Sequence, residues 1–239
     1  MNNKKQKLNW YYYRKCDGKE DREICQYMRL DYLIQLLETR KYYVSRRHVF
    51  PDSYESYQNK KLTFPITVVK GDDSHNLKDR QIPYLDIIHC PTSCWTQNTN
   101  ESYLMWKSYA TEVGVCIKST VHDLIASLKL DLARDGKDKV ICGSMNYGRI
   151  FPTYDEEGQL FDKDTVYSDE NEFRFYFYLS DDNTKRTTNS CLIPVNPNVM
   201  IDKIILSPFI CKEASEKIAR MIKCSYDIEF VEQSNIKLK

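Results

Sequence analysis

The chain has 239 residues, of which 41% are hydrophobic and 29% are charged. This balance is typical of a globular protein that buries a core, so it excludes a largely disordered chain. With 35 basic and 34 acidic residues the net charge is +1, which excludes a global field that draws the protein onto nucleic acid or an anionic membrane. We expect one domain over residues 1–239, with flexible termini at residues 1–8 and 234–239.

The chain start and the cysteines indicate the cellular compartment. Met1–Leu8 is polar and lysine-rich, without the apolar stretch of a signal peptide, and no run of about 18 apolar residues occurs. Nine cysteines at irregular spacing, with no secretory signal, are typical of thiols in a reducing environment. We therefore expect a cytoplasmic protein with no disulfide and no membrane partner.

Short strands and helices alternate along the chain. Trp10–Lys15 is rich in tyrosine and predicts a first strand, and Asp31 is a suitable N-cap for a helix over Tyr32–Arg40. Lys41–Ser45 predicts the next strand. Residues 52–61, 71–80 and 152–164 are polar or charged and indicate surface loops or a surface helix. Further strands are predicted at Ile66–Val69, Ile87–Thr96, Val113–Lys118, Lys139–Tyr147, Leu192–Val195, Met200–Leu206 and Ile228–Val231, and further helices at Glu101–Ala110, Val121–Arg134 and Lys212–Cys224.

The clearest strand pattern covers Glu170–Leu179, where Phe173, Phe175 and Phe177 alternate with polar residues. Strands and helices interleave irregularly along the chain, without the regular alternation of a parallel α/β protein. The sequence therefore predicts an α+β fold with a mainly antiparallel sheet and flanking helices.

A row of charged side chains accompanies that strand. Residues two apart on a strand point to the same face, so Glu170, Glu172 and Arg174 are expected to project together. A second carboxylate raises the pKa of its neighbour and a guanidinium lowers it, so the row can provide both an ionised group and a proton acceptor. The same row is also compatible with a solvent-exposed strand face.

Arg14 and Ser45 precede this Glu-x-Glu row on two early strands. The order Arg, Ser, Glu-x-Glu resembles that of ADP-ribosyltransferases, which implies an ADP-ribosyltransferase-like fold with a split sheet. It also implies that Arg14 holds NAD, that Ser45 supports the nicotinamide ribose and that Glu172 grips this ribose. In that family the glutamate two residues earlier, here Glu170, activates the acceptor. Cleavage builds positive charge on the ribose, which a carboxylate stabilises. The chain departs from the pattern because Ser45 lies in Val-Ser-Arg, and because an unusually long segment separates it from Glu172.

A second resemblance covers most of the chain. Several segments, in order, are similar to a widespread bacterial family classified only as a domain of unknown function. The segments are Tyr13-Arg14, Tyr42-Tyr43-Val44-Ser45, Asp52-Ser53-Tyr54-Glu55, Ser93-Cys94-Trp95-Thr96, Met105-Trp106-Lys107-Ser108-Tyr109-Ala110, Gly114-Val115-Cys116-Ile117 and Glu170-Asn171-Glu172-Phe173-Arg174. Two positions depart from it, at Pro51-Asp52-Ser53 and at Cys94. The resemblance implies a shared fold and leaves the function open.

Other candidate chemistries are not supported by the sequence. Cys94 before Trp95 is similar to a papain-type nucleophile, but His122 is the last histidine and lies too close to serve as its base. His89, Cys90 and Cys94 lack a fourth ligand at zinc-binding spacing, so we expect no metal.

Aromatic and basic residues complete the predicted ligand-binding set. Trp106 and Tyr109 lie at helical spacing, which is typical of core residues and also compatible with a pocket wall. The residues predicted to bind NAD are Arg14, Ser45, Tyr13, Tyr43, Trp106, Tyr109 and Arg174.

These observations favour an enzyme that cleaves NAD and transfers ADP-ribose to a macromolecule or to water. By analogy, a bacterial toxin or anti-phage effector fits such an enzyme, and a protein partner that regulates it and a nucleic-acid acceptor are candidates. The alternative is a noncatalytic sensor or adaptor that binds a nucleotide, nucleic acid or protein.

Overall fold

The computed structural model describes residues 22–46, 65–66, 80–81, 90–132, 138–148, 161–179 and 188–237. The predicted strand Trp10–Lys15, the segments 52–61 and 71–79, and residues 67–69 and 87–89 lie outside the described residues, as do Tyr13 and Arg14. Among the described helices none is both long and apolar enough to cross a bilayer.

The described elements mix strands and helices. The strands are β1 (Glu23–Arg29), β2 (Lys41–Arg46), β3 (Pro65–Ile66), β4 (Arg80–Gln81), β5 (Pro91–Thr96), β6 (Gly114–Thr120), β7 (Lys139–Ser144), β8 (Asn146–Tyr147), β9 (Asp162–Lys163), β10 (Glu172–Tyr178), β11 (Ser190–Pro194), β12 (Lys203–Leu206) and β13 (Val231–Gln233). The α-helices are α1 (Leu30–Thr39), α2 (Tyr103–Met105), α3 (Val121–Ser127), α4 (Pro197–Met200) and α5 (Lys212–Tyr226). A π-helix continues α2 over Trp106–Ala110, and a 3₁₀ helix covers Thr165–Glu170.

Nine of these strands form one sheet, in the order β11-β2-β5-β1-β6-β12-β13, with β10 and β7 extending it from β5. Within the described part of that sheet every pair is antiparallel except β12 with β13. The prediction of an α+β fold with a mainly antiparallel sheet is therefore confirmed.

The sheet divides at β5. One edge of β5 pairs with β10 along its length, from Thr92 to Thr96. The other edge is shared, because β1 pairs with it at Thr96 and β2 pairs with it at Thr92 and Pro91. The strands β1 and β2 thus meet opposite ends of the same edge and leave a gap between them.

Alternation along the strands separates two apolar layers. On β6 the side chains of Val115 and Ile117 join the main core, whereas Cys116 points to the other face. Helix α1 covers the main core with buried leucines, and α3, α4 and α5 contribute to the same layer. On the opposite face Trp106 and Ala110 of the π-helix pack on a smaller cluster with Tyr27 of β1.

Several predicted boundaries are wrong. Helix α3 ends at Ser127 instead of continuing to Arg134, because the backbone of Leu128 is extended and forms a β-bridge with Val195. The predicted strand Met200–Leu206 begins only at Lys203, since Pro197–Met200 is helical. The strand Glu23–Arg29 was not predicted at all, because charged ends and a short pattern hide it.

The junction between the π-helix and β6 is tightly constrained. Thr111 has a positive φ of 58°, which is unfavourable for a β-branched residue. A Cβ on Gly114 would lie 2.1 Å from the carbonyl oxygen of Ala110. Only glycine therefore allows the chain to leave the π-helix and enter the sheet at this point.

We predict that Gly114→Ala lowers the free energy of unfolding by about 1–3 kcal/mol or more, because the new methyl group collides with the backbone of Ala110. Gly148→Ala is the matched control, since a Cβ there meets no atom within 4 Å. Urea denaturation measures both. Equal stability of the two variants would show that the Ala110 carbonyl is free to shift.

Candidate functional site

A pocket of about 400 Å³ opens at the gap between β1 and β2. Residues of β1, α1, β2 and β5 line it, together with residues of the α2–π-helix segment and of the segment 163–174. This volume lies within the range of roughly 300–1,000 Å³ that small-molecule sites occupy. The described lining is mostly apolar and aromatic, with one charged cluster.

The charged cluster is centred on the carboxylate of Glu172 at the start of β10. The Nε and Nη2 atoms of Arg174 donate to its two oxygens, over 2.5 and 3.0 Å, in a bidentate pair. Both side chains are almost completely buried, which contradicts the solvent-exposed strand face considered from the sequence. The alternating phenylalanines point to the main core, so the polar face of β10 points into the pocket.

Glu170 does not belong to this strand. It ends the 3₁₀ helix, and Asn171 adopts the left-handed conformation (φ 43°, ψ 53°) that asparagine tolerates better than most residues. The prediction that Glu170 and Glu172 share a strand face is therefore wrong. Their carboxylates nevertheless approach the same group, by a different route.

That common group is the ammonium of Lys163 on β9. Its Nζ atom donates to Glu170 Oε2 over 2.6 Å and to Glu172 Oε2 over 2.9 Å. It also lies 4.8 Å from the centre of the Tyr167 ring, a distance typical of a cation–π contact. The cluster therefore contains two carboxylates and two cations and is balanced in charge.

Burial and charge oppose each other in this cluster. Burial raises the pKa of the Glu172 carboxyl, but the charge and hydrogen bonds of Arg174, with the charge of Lys163, lower it to about 2. Burial likewise lowers the pKa of Lys163, and the two glutamates raise it above its ordinary value. Glu172 and Lys163 are therefore both charged at neutral pH.

The π-helix contributes a third contact to the cluster. The Tyr109 hydroxyl donates to Glu170 Oε1 over 2.7 Å. Burial and the neighbouring Glu170 carboxylate raise the pKa of Tyr109, so the hydroxyl stays protonated as a donor. A π-helix is rare and often occurs at functional sites, and here it turns a tyrosine towards the pocket.

The floor of the pocket is a buried hydrogen-bond network on β5 and β2. The hydroxyls of Tyr42 and Ser93 are hydrogen-bonded, and Trp95 Nε1 donates to Ser93 Oγ over 2.8 Å. Gln26 of β1 accepts from the Tyr42 hydroxyl over 2.7 Å and donates to the Cys94 carbonyl over 3.0 Å. Side chains thus bridge β1, β2 and β5 where their backbones separate.

An aromatic pair forms another part of the wall. The rings of Tyr32 and Tyr43 are nearly parallel, at 5.5 Å between centres, and both remain partly exposed. Ser45 lies two residues further along β2 and also lines the pocket. Flat aromatic groups of a ligand can stack on such a surface.

The structure brings together most of the residues predicted from the sequence. The predicted residues that line the pocket are Glu170, Glu172, Arg174, Ser45, Tyr43 and Tyr109. Trp106 is fully buried behind the wall, where its ring packs edge-on against Tyr27 at 4.9 Å and its Nε1 donates to Glu101. Roles for Arg14 and Tyr13 remain predictions, because both lie outside the described residues.

Three parts of the site are not predicted by the sequence. Lys163 lies in a segment whose composition predicts an acidic loop, although a lone lysine between Asp162 and Asp164 is a weak signal of a paired cation. Gln26 lies on β1, which the sequence does not predict. Ser93 belongs to a segment shared with the bacterial family, and nothing in its sequence neighbours indicates that Tyr42 and Trp95 converge on it.

No metal site accompanies the pocket in the described part of the chain, where no group of three or more His, Cys, Asp or Glu side chains is arranged to hold an ion.

Comparisons with known proteins give limited information. No family model matches the chain, and no curated protein matches it. Among solved structures, it is similar to Thermus sp. 2.9 DarT in complex with ADP-ribosylated ssDNA, with 11% identity, a TM-score of 0.40, and coverage of 95% of this chain and 96% of that one. For the same protein in complex with NAD+ the identity is 11%, the TM-score 0.40 and the coverage 90% and 96%. Similarity at this level assigns no activity to this chain, and the resemblance to the bacterial family stays a prediction.

We predict that acid unfolding reports the Glu172 pairing. Because folding lowers the pKa of Glu172 from its ordinary value to about 2, its contribution to the free energy of unfolding is complete above about pH 5 and is lost as the pH falls towards 2. Glu172→Gln should therefore be less stable than the wild type at pH 7, and the difference should shrink between about pH 5 and pH 2. Denaturant titrations across this range test it, and a difference independent of pH would contradict the pairing.

Proposed function

We propose that this chain cleaves NAD at the bond between nicotinamide and ribose and transfers ADP-ribose to a macromolecule or to water. The observation that carries the proposal is the convergence of Ser45, Glu172 and Glu170 on one pocket. Ser45 is distant in the sequence from the two glutamates, yet all three residues line the same pocket. A pocket with aromatic walls and a buried ionised carboxylate suits a dinucleotide whose reacting ribose becomes positively charged.

The bond changes define what the carboxylates do. As the bond from the ribose C1′ to nicotinamide breaks, the electron pair leaves with nicotinamide and positive charge develops on the ribose. Glu172, charged at neutral pH, provides fixed negative charge for this step without reorganisation. The acceptor then attacks C1′ and gives up a proton.

Glu170 is suited to receive that proton. Its side chain is 18% exposed, against 3% for Glu172, so it is the carboxylate closer to solvent and to an incoming acceptor. Ser45 is assigned to the nicotinamide ribose, and Tyr43 to stacking on a flat ring. Arg14 is assigned to the diphosphate on the family resemblance alone.

A noncatalytic sensor or adaptor is the second candidate, and one observation favours it. Both oxygens of Glu172 already accept hydrogen bonds from Arg174, and one also accepts from Lys163. A carboxylate held in this way resembles a structural ion pair, which would leave the pocket to bind a nucleotide, a nucleic acid or a protein partner without reaction.

Release of nicotinamide from NAD distinguishes the two candidates. We predict measurable release by the wild type, and a decrease of about 100-fold or more in Glu172→Gln, because the variant loses the charge that stabilises the ribose cation. The matched control is Glu232→Gln, which removes a half-exposed carboxylate paired with Lys203 outside the pocket and should keep full activity.

Glu172→Gln removes the carboxylate that pairs with the buried cations of Arg174 and Lys163, which costs roughly 3–5 kcal/mol of stability. Circular dichroism must therefore show that the variant is folded at the assay temperature. Equal release by wild type and variant would exclude a catalytic Glu172. NAD binding without release across nucleic-acid, protein and water acceptors would support the sensor or adaptor instead.

A further inference from the structure

The paired carboxylates of the pocket come from different elements of secondary structure. Glu172 is held on β10 by the bidentate pair with Arg174, whereas Glu170 lies on the 3₁₀ helix before the left-handed residue Asn171. The strand geometry that would align residues two apart is therefore not available to them. Some other contact must bring the Glu170 carboxylate to its neighbour.

Lys163 makes that contact. Its ammonium bonds both carboxylates, at 2.6 and 2.9 Å, and its side chain is only 9% exposed. Two buried carboxylates that share one site repel each other, and ordinarily one of them takes up a proton. A cation between them offsets this repulsion. The strand β9 that carries Lys163 contributes to the sheet of β8 and β9, apart from the nine-stranded sheet.

Described groups on six elements face the pair, namely β5, β8, β9, β10, the 3₁₀ helix and the π-helix. The neutral neighbours include Tyr109, which donates to Glu170, and Tyr147, whose hydroxyl accepts from the Glu172 amide over 2.7 Å. The titratable and charged groups around the two carboxylates are Lys163, Arg174, Tyr109, Tyr147, Cys94 and Tyr167. Lys163 bridges the two carboxylates directly.

We propose that Lys163 is a positioning residue that holds the carboxylates of Glu170 and Glu172 together as one pair across separate elements of the chain. The proposal deepens the function proposed above, on which its mechanistic meaning rests, because it explains how the pocket places a charge-stabilising carboxylate beside a proton acceptor. The bridging role of Lys163 itself does not depend on that function, so it can be tested without any reaction.

The direct test follows the two carboxylates by carbon NMR during a pH titration of protein labelled at the glutamate side chains. Spectra of Glu170→Gln and Glu172→Gln assign the two signals. Lys163→Met keeps the length of the stem and removes the charge, and we expect the midpoint of at least one carboxylate to rise by about one pH unit or more. Lys163→Arg should keep both midpoints closer to those of the wild type.

Lys203→Met is the matched control, since Lys203 pairs with Glu232 at the surface, and it should leave both midpoints unchanged. Midpoints in folded Lys163→Met within a few tenths of a pH unit of the wild type would overturn the proposal. In the nicotinamide-release assay of Lys163→Met, the pH below which the rate falls should increase together with the carboxylate midpoint. If the wild type cleaves no NAD, the proposed function fails while the NMR midpoints still decide the role of Lys163.

A second comparison applies if Lys163→Met shows a thermal transition at neutral pH but does not stay folded through the NMR titration. The double variant Lys163→Met/Glu170→Gln removes one positive and one negative charge together, so it should recover most of the melting temperature lost in Lys163→Met. Losses that simply add in the double variant would show that Lys163 does not neutralise Glu170, which overturns the proposal.

Discussion

The Glu172 carboxylate, buried between the guanidinium of Arg174 and the ammonium of Lys163, is the interaction on which the site depends. A charge in the interior is costly unless partners and hydrogen bonds replace its water, and removing one partner leaves the other uncompensated. The carboxylate therefore fixes the start of β10 and ties it to β9. Through Lys163 the same network reaches Glu170, and through Tyr109 it reaches the π-helix. One network of ion pairs and hydrogen bonds thus joins β9, β10, the 3₁₀ helix and the π-helix.

The surrounding fold explains why this cluster faces a pocket and not the core. The phenylalanines of β10 occupy one face of the sheet, which leaves the other face for Glu172 and Arg174. On that face β1 and β2 separate at β5, and side chains such as Gln26 and Tyr42 bridge the floor. A cavity with a charge-balanced end and aromatic walls results, and this is the property that the proposed NAD chemistry uses.

Sequence reasoning identified the parts of the molecule that local patterns determine. Strict alternation of phenylalanines predicted β10, because period two is a property of any strand with one buried face. The helix α5 and the strand β2 followed from similar local signals. Strand alternation also placed Glu172 and Arg174 in one row, whereas Ser45 was predicted only from the resemblance to ADP-ribosyltransferases; all three line the same pocket.

What the sequence did not reveal depends on contacts between distant segments. Glu170 leaves the strand because Asn171 adopts a left-handed conformation, and no periodicity indicates this change. The helical spacing of Trp106 is typical of a core residue, yet the family resemblance placed it in the predicted ligand-binding set, and in the structure its ring packs in the core against Tyr27. The bridge by Lys163 depends on a short strand within an acidic segment whose partner in the sheet cannot be read from composition.

The central claim is that this carboxylate pair meets the reacting ribose of NAD. A crystal structure of the protein with an NAD analogue that resists cleavage tests it most directly. The account predicts the nicotinamide ribose within hydrogen-bonding distance of the Glu172 carboxylate, with a ring stacked on the tyrosines of the pocket wall. An analogue bound elsewhere, with the pocket empty and Glu172 still enclosed by Arg174 and Lys163, would contradict it.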